Sequence, residues 1–169
     1  MSYTSTSTST FTRTHTATYL ADVILGSIAD ILGNVGIDPT RLFGDWDTDQ
    51  HAIAAWVEEG SLSCVALECH QPSGIVDPIV EFPVSYSGSG EGDRKFTADR
   101  AALAVYLTKM KRVPSGTTYR LFCSYNGPHS DQPGWGPASR ATTAGMRSFS
   151  FGTLAAAPHA TANLRYYTN

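Results

Sequence analysis

Apolar residues recur at helical spacing from about Arg13 to Val35, at Leu20, Val23, Ile24, Ile28, Ile31, Leu32 and Val35, while Asp22 and Asp30 fall off the stripe. The pattern predicts an amphipathic helix. Gly36 supplies its C-cap, and Asp38-Pro39 begins a turn. Asp47 and Gln50 have the spacing of a capping box and open a short helix through Ile53, Ala54, Trp56 and Val57, stopped by Gly60. Trp56 lies on the apolar stripe, the position of a core anchor. From Leu62 the period changes from helical to alternating. Leu62–His70 and Ile75–Tyr86 read as a hairpin turning at Gln71–Gly74, with Val80, Phe82, Val84 and Tyr86 on one face. Pro78 and Pro83 mark the second strand as an edge or irregular one.

The stretch Phe96–Pro114 carries Thr97 as N-cap, Asp99 in its first turn, and Lys109, Lys111 and Arg112 at the end that favours cations. Ala101 to Leu107 runs without a charge, so this helix is expected to be buried on several sides and to lie across the sheet as the central element. Thr117–Tyr125 then reads as a strand with Tyr119, Leu121, Cys123 and Tyr125 on one face and Phe122 on the other, hence largely buried. After Asn126 the chain is dense in glycine, proline and small polar residues around Trp135, and two β-like pieces follow, Met146–Leu154 and Thr161–Tyr167. A long loop between short strands is often functional. An ordinary irregular β extension fits the same composition.

Ser2 to Thr10 alternates serine and threonine with no apolar anchor after Tyr3, the composition of an unstructured tail. At 169 residues the chain suits a single domain. A net charge of -3, with 16% charged residues, provides no basic face, so direct nucleic-acid binding is not expected. Cys64, Cys69 and Cys123 are an odd set in apolar surroundings and read as reduced core residues. The N-terminus lacks a basic and an apolar region, and no apolar run approaches the roughly 20 residues that span a bilayer. A cytoplasmic protein without membrane contact is expected.

Candidate chemistry is sparse. Gly88–Gly92 has a phosphate-loop flavour, but Asp93 stands where a third glycine would be needed and no Gly-Lys-Ser/Thr follows, so it reads as a flexible connection. No nucleophile elbow is present. Cys64, Cys69 and His70 come nearest to a metal cluster, yet strand positions five apart face opposite sides. His15, His51, His129 and His159 are scattered, and Asp45, Asp47 and Asp49 lack the Gly and Glu of a calcium loop, reading instead as negative charge at a helix start. No catalytic residue, metal or cofactor is expected, which shifts the balance from enzyme to binding protein.

The element order resembles a HORMA domain, and more particularly the bacterial HORMA proteins encoded beside cyclic-oligonucleotide synthases in CBASS anti-phage operons. Phe11-Thr12-Arg13-Thr14-His15 with Tyr19 and Ile24, Asp38-Pro39 with Trp46, Ala52-Ile53 with Trp56, Tyr119-Arg120-Leu121, Gly134-Trp135 and Gly145-Met146 carry the resemblance across nearly the whole chain. It implies an α+β fold: a single domain with an antiparallel sheet backed by about three helices. Residues 1–12 would be a flexible tail, 13–125 the core and 126–169 a C-terminal safety belt. It further implies that a partner's closure peptide pairs as an added strand beside Thr117–Tyr125, at Tyr119, Leu121, Cys123, Tyr125 and Trp135. By the same resemblance the closed form binds and activates a cGAS/DncV-like nucleotidyltransferase, and an AAA+ ATPase resets it through the tail at Ser5, Thr6, Thr8 and Thr10. The competing expectation is a fixed assembly module whose C-terminal strands complete a subunit interface.

Overall fold

The apolar stripe of the N-terminal third becomes the axis of the molecule. In the computed structural model, which describes residues 3–87 and 96–169 with side chains from residue 12 onward, helix α1 spans Tyr3–Val35. Leu20, Ala21, Ile24, Leu25, Ile28, Ile31, Leu32 and Val35 on it all have 0% exposure. Gly36, at φ +93°, ends it, with the Gly36 and Ile37 amides both donating to the Leu32 carbonyl. Only a residue without a Cβ adopts that conformation freely.

Two expectations about this helix change. It begins ten residues earlier than its apolar stripe, so the backbone from Tyr3 to Thr10 is helical where an unstructured tail was expected. Adding residues to an existing helix costs far less than starting one, and serine and threonine are tolerated there. Its Thr12–Val35 part is also long and apolar enough, by length and composition, to cross a membrane. Here that apolar stripe is covered by the rest of the domain. The phosphate-loop-like Gly88–Gly92 lies outside the described residues.

Helix α2 (Thr40–Gly44) and helix α3 (Trp46–Glu58) follow. Trp56 is 1% exposed, the core anchor its position predicted. The capping box does not form: α3 starts at Trp46, and the Gln50 amide donates instead to Asp22 of α1 at 2.6 Å, tying the two helices together.

The sheet is antiparallel, with six strands: β1 (Leu62–His70), β2 (Val76–Tyr86), β3 (Thr97–Ala98), β4 (Thr118–Tyr125), β5 (Arg147–Ala157) and β6 (Ala160–Thr168), in the order β3-β5-β6-β2-β1-β4. The expected β1–β2 hairpin forms, with Val65 opposite Phe82 and Leu67 opposite Val80 on the core face. β2 is not an edge strand: it lies between β1 and β6. Its prolines are accommodated at gaps, since Pro78 lies where the β1 ladder shifts register between Glu68 and His70, and the β6 ladder omits Phe82 and Pro83. A proline lacking its N–H is tolerated at such breaks.

The segment expected to be central is peripheral. Thr97 and Ala98 form β3, Asp99 rather than Thr97 caps the helix by accepting from the Ala102 amide at 2.9 Å, and helix α4 is only Arg100–Leu107. It buries one face, through Leu103 and Leu107, and leaves Val105 66% exposed. Three of the seven residues from Ala101 to Leu107 are alanine, too small to demand cover on every side.

Candidate functional site: the open edge of β4

Strand β4 ends the sheet and pairs only with β1. It was expected to be largely buried, yet one whole side of its backbone lacks a neighbouring strand. The guanidinium of Arg41, on α2, donates to the Tyr119 carbonyl at 2.6 Å and lies 4.1 Å above the Tyr119 ring. That carbonyl therefore points away from β1. By the alternation of an antiparallel ladder, the backbone groups of Leu121 and Cys123 point the same way. Among the described residues, no backbone–backbone hydrogen bond joins β4 to the irregular segment 126–146 that follows it.

Two anchors hold that segment in place. On the helix side, the Trp56 indole donates to the Ser130 carbonyl at 2.8 Å and the Ser130 amide donates to Glu59 at 3.0 Å. His129 stacks on Tyr125 with centroids 3.5 Å apart, and Trp135 meets Trp56 edge-on at 5.5 Å. On the opposite face of the sheet, Arg140 donates to Glu81 at 2.7 Å and the Ala141 amide to Glu68 at 2.8 Å. Between these anchors the chain passes around the free edge of β4. It encloses a cavity of about 490 Å³ lined by Leu121 to Tyr125 on one side and by residues between His129 and Arg140 on the other.

The outer anchor is a buried charge network. Glu68 is 1% exposed and also contacts His70 at 3.1 Å, while Glu81 is shared between Arg140 and Arg165, each at 2.7 Å. Burial pushes the Glu81 carboxyl up, but the hydrogen bonds and charges of the two arginines outweigh it and hold the group below its usual value. On the helix side, burial likewise pushes the Glu59 carboxyl up, but the hydrogen bonds from Ser61 and Ser130 outweigh it and hold the group below its usual value, whereas Asp49, beside Trp135, shifts the other way. Burial, then the charge of Asp45, raises Asp49 to about 6. The Trp135 indole N–H pulls the other way from beside Asp49, without the geometry of a hydrogen bond.

Of the residues expected at a peptide site, Leu121, Cys123, Tyr125 and Trp135 line the enclosed cavity together. Tyr119 lies just outside it, in a neighbouring recess with Arg41, Asp45 and Asp49. Side chains of Ser5, Thr6, Thr8 and Thr10 lie outside the described residues. Sequence reasoning missed His129, Arg140, Glu68 and Glu81. Only the two glutamates gave a signal, as acids inside strands otherwise rich in apolar residues. Cys64 and Cys69 lie on opposite faces of β1, and burial raises their thiols to about 11 and about 12; Cys123 is likewise raised by burial. None is a thiolate nucleophile at neutral pH. Among the described residues, no group of three or more His, Cys, Asp and Glu side chains is placed to hold a metal.

The fold has close structural counterparts. A chain of the mitotic checkpoint complex superposes with a TM-score of 0.75 at 9% identity, covering 91% of this chain and 98% of that one. Caenorhabditis elegans HTP-1 bound to the HIM-3 closure motif gives 0.70 at 12%, covering 90% and 89%. A chain of the Escherichia coli MS115-1 CdnC:HORMA-deltaN complex gives 0.59 at 13%, covering 90% and 87%. At such identities the likeness is one of fold. No curated protein matches the chain by sequence. The model of the family Bacterial HORMA domain 2, however, matches residues 5–169, nearly the whole chain. This protein therefore belongs to the bacterial HORMA domain 2 family.

Proposed function

We propose that the protein is a non-catalytic signalling adaptor that captures a closure peptide at the open edge of β4, with residues 126–146 acting as the safety belt. The observation that carries this reading is an unpaired strand edge encircled by a loop that makes no backbone bond to it, with a cavity of about 490 Å³ between them. A peptide entering as a strand would satisfy the outward backbone groups of Leu121 and Cys123, while alternate side chains would meet the Trp56, Tyr125 and Trp135 rings. The C-terminal strands lie on the far side of β2: β6 is paired on both sides, and β5 pairs with β6 and, at Ala155 and Ala156, with the two-residue β3. That arrangement keeps the C-terminal hairpin away from the β4 edge, which is left to a partner.

By analogy with the CdnC:HORMA complex, the closed, peptide-holding form would bind and activate a cGAS/DncV-like nucleotidyltransferase in a CBASS anti-phage system. An AAA+ ATPase would then reset it by engaging the N-terminal segment at Ser5, Thr6, Thr8 and Thr10. The test is to select displayed peptides against the purified protein. The protein, with the selected peptide or with none, is then added to a cGAS/DncV-like nucleotidyltransferase from the same cell, and cyclic-nucleotide synthesis is followed. Capture with stimulated synthesis is expected. Capture without stimulation would remove the activation step, and failure to select any peptide that protects the Leu121 and Cys123 amides would remove the whole reading.

A further inference from the structure

At the end of the sheet remote from Tyr125, the fold gathers cations that are far apart in sequence. Lys109, Lys111 and Arg112, which follow α4, and Arg147, which opens β5, line a recess of about 280 Å³ together with Phe149 and Tyr166. Four of the chain's 12 lysines and arginines therefore face one concavity, although the net charge is -3. Among the described residues, none of the four forms an ion pair. Arg112 lies against Gly36, where an added Cβ would come within 2.8 Å of its guanidinium, so it is held at the C-terminal end of α1. Asp77 shares the recess, but its carboxylate already accepts from the Thr168 hydroxyl at 2.8 Å and the Asn169 amide at 3.1 Å. The Asn169 backbone oxygen accepts from Arg147 at 3.4 Å.

The recess also has an aromatic floor. Phe149 is 40% exposed and stacks on Tyr166 with centroids 5.0 Å apart and planes 17° apart. With Tyr166 stacked on one face, the 40% exposure of Phe149 gives a planar group access to its ring. Lys109 and Lys111, without an ion-pair partner among the described residues, beside an exposed ring match a phosphate attached to a base, whereas an acidic peptide would use the cations and leave the ring idle.

We propose that this recess binds a nucleotide unit, its phosphate on Lys109, Lys111 and Arg147 and its base on the free face of Phe149. The unit could be a free nucleotide or part of a single strand, which share this chemistry. The site is separate from the β4 edge, so peptide capture serves as a control for folding.

The test is fluorescence anisotropy with a labelled 12-nucleotide single-stranded DNA at 50 mM salt, competed by ATP, by unlabelled strand and by polyglutamate. Binding is expected to weaken about twentyfold between 50 and 200 mM salt, as three phosphate contacts to a single strand would require. The double variant Lys109→Glu/Lys111→Glu should lose measurable binding while still capturing peptide. Phe149→Leu, which keeps apolar bulk and removes the stacking face, should weaken binding by about tenfold. Displacement by ATP as readily as by the strand identifies a free nucleotide as ligand, and displacement by the strand alone identifies nucleic acid; either supports the proposal. No binding at 50 mM salt, equal competition by polyglutamate, or full affinity in Phe149→Leu overturns it.

Discussion

Arg140 reaches the outer face of the sheet where Glu81, 7% exposed, and Glu68, 1% exposed, receive it and the following amide. Removing one partner of a buried pair costs more than the pair contributes, because the other is left desolvated. Arg140→Ala should destabilise the protein by about 1–3 kcal/mol in urea unfolding and speed amide exchange around Ala141. Two carboxyls along this segment, Glu81 and Asp49, should answer pH in opposite directions. Glu81 has a lowered folded pKa, so its contribution is complete above the unfolded value and fades as pH falls through the folded one. Asp49 is raised from 3.8 to about 6, so the native state takes up its proton first. Its contribution is present in acid and is lost as pH rises towards and through about 6. Fluorescence of Trp135, beside Asp49, should titrate with a midpoint near 6, and Asp49→Asn should flatten that titration without altering the acid limb set by Glu81. Burial makes the thiols poor nucleophiles, and Cys69, at 0% exposure, should react with a thiol reagent only at the rate of unfolding or local opening.

Helices α1 and α4 both present long uncharged stretches, and only one is a core element. The difference is the number of large side chains on one face: α1 places leucine, isoleucine and valine at 0% exposure over several turns, whereas the short α4, three of whose residues are alanine, buries Leu103 and Leu107 alone. Ile28→Ala should therefore cost about 2–5 kcal/mol in denaturant unfolding, while Val105→Ala should stay within about 0.5 kcal/mol. Strand β4 illustrates a similar limit. Its apolar residues on both faces, Tyr119 and Phe122 among them, were legible as packed, and both are buried, although Thr118 and Arg120 on the Phe122 face are exposed. Alternation reports faces and is silent about edges, since every strand residue carries the same backbone groups. On peptide capture, the Leu121 and Cys123 amides should gain strong exchange protection, and those of β6 should not change.

For the whole molecule, the C-terminal hairpin is as much core as the N-terminal helix. Leu154, Ala162, Leu164 and Tyr166 are buried, β6 pairs along β2, and the Thr16 hydroxyl donates to the Pro158 carbonyl at the hairpin turn. A chain ended after Tyr125 would expose the β2 edge and the apolar face of α1. It should lose cooperative unfolding by circular dichroism altogether. A partner lost on such truncation would then say nothing about peptide capture, which calls for point variants at Trp135 or Arg140.

The amino-acid sequence by itself determined the local elements: the stripe of α1, the Gly36 cap, the β1–β2 hairpin and Trp56 as a core residue. These depend on periodicity and on residues adjacent in the chain, and the same patterning, with its spaced aromatics, carried the family resemblance. Tertiary structure alone decided which helix is central, which strand is an edge, that Glu68 and Glu81 meet Arg140 some sixty to seventy residues away, and that the Lys109–Arg112 run faces Arg147. Edges and clusters are properties of which segments meet in space. Those meetings arise from burial of apolar area summed over the whole chain, which no local window contains.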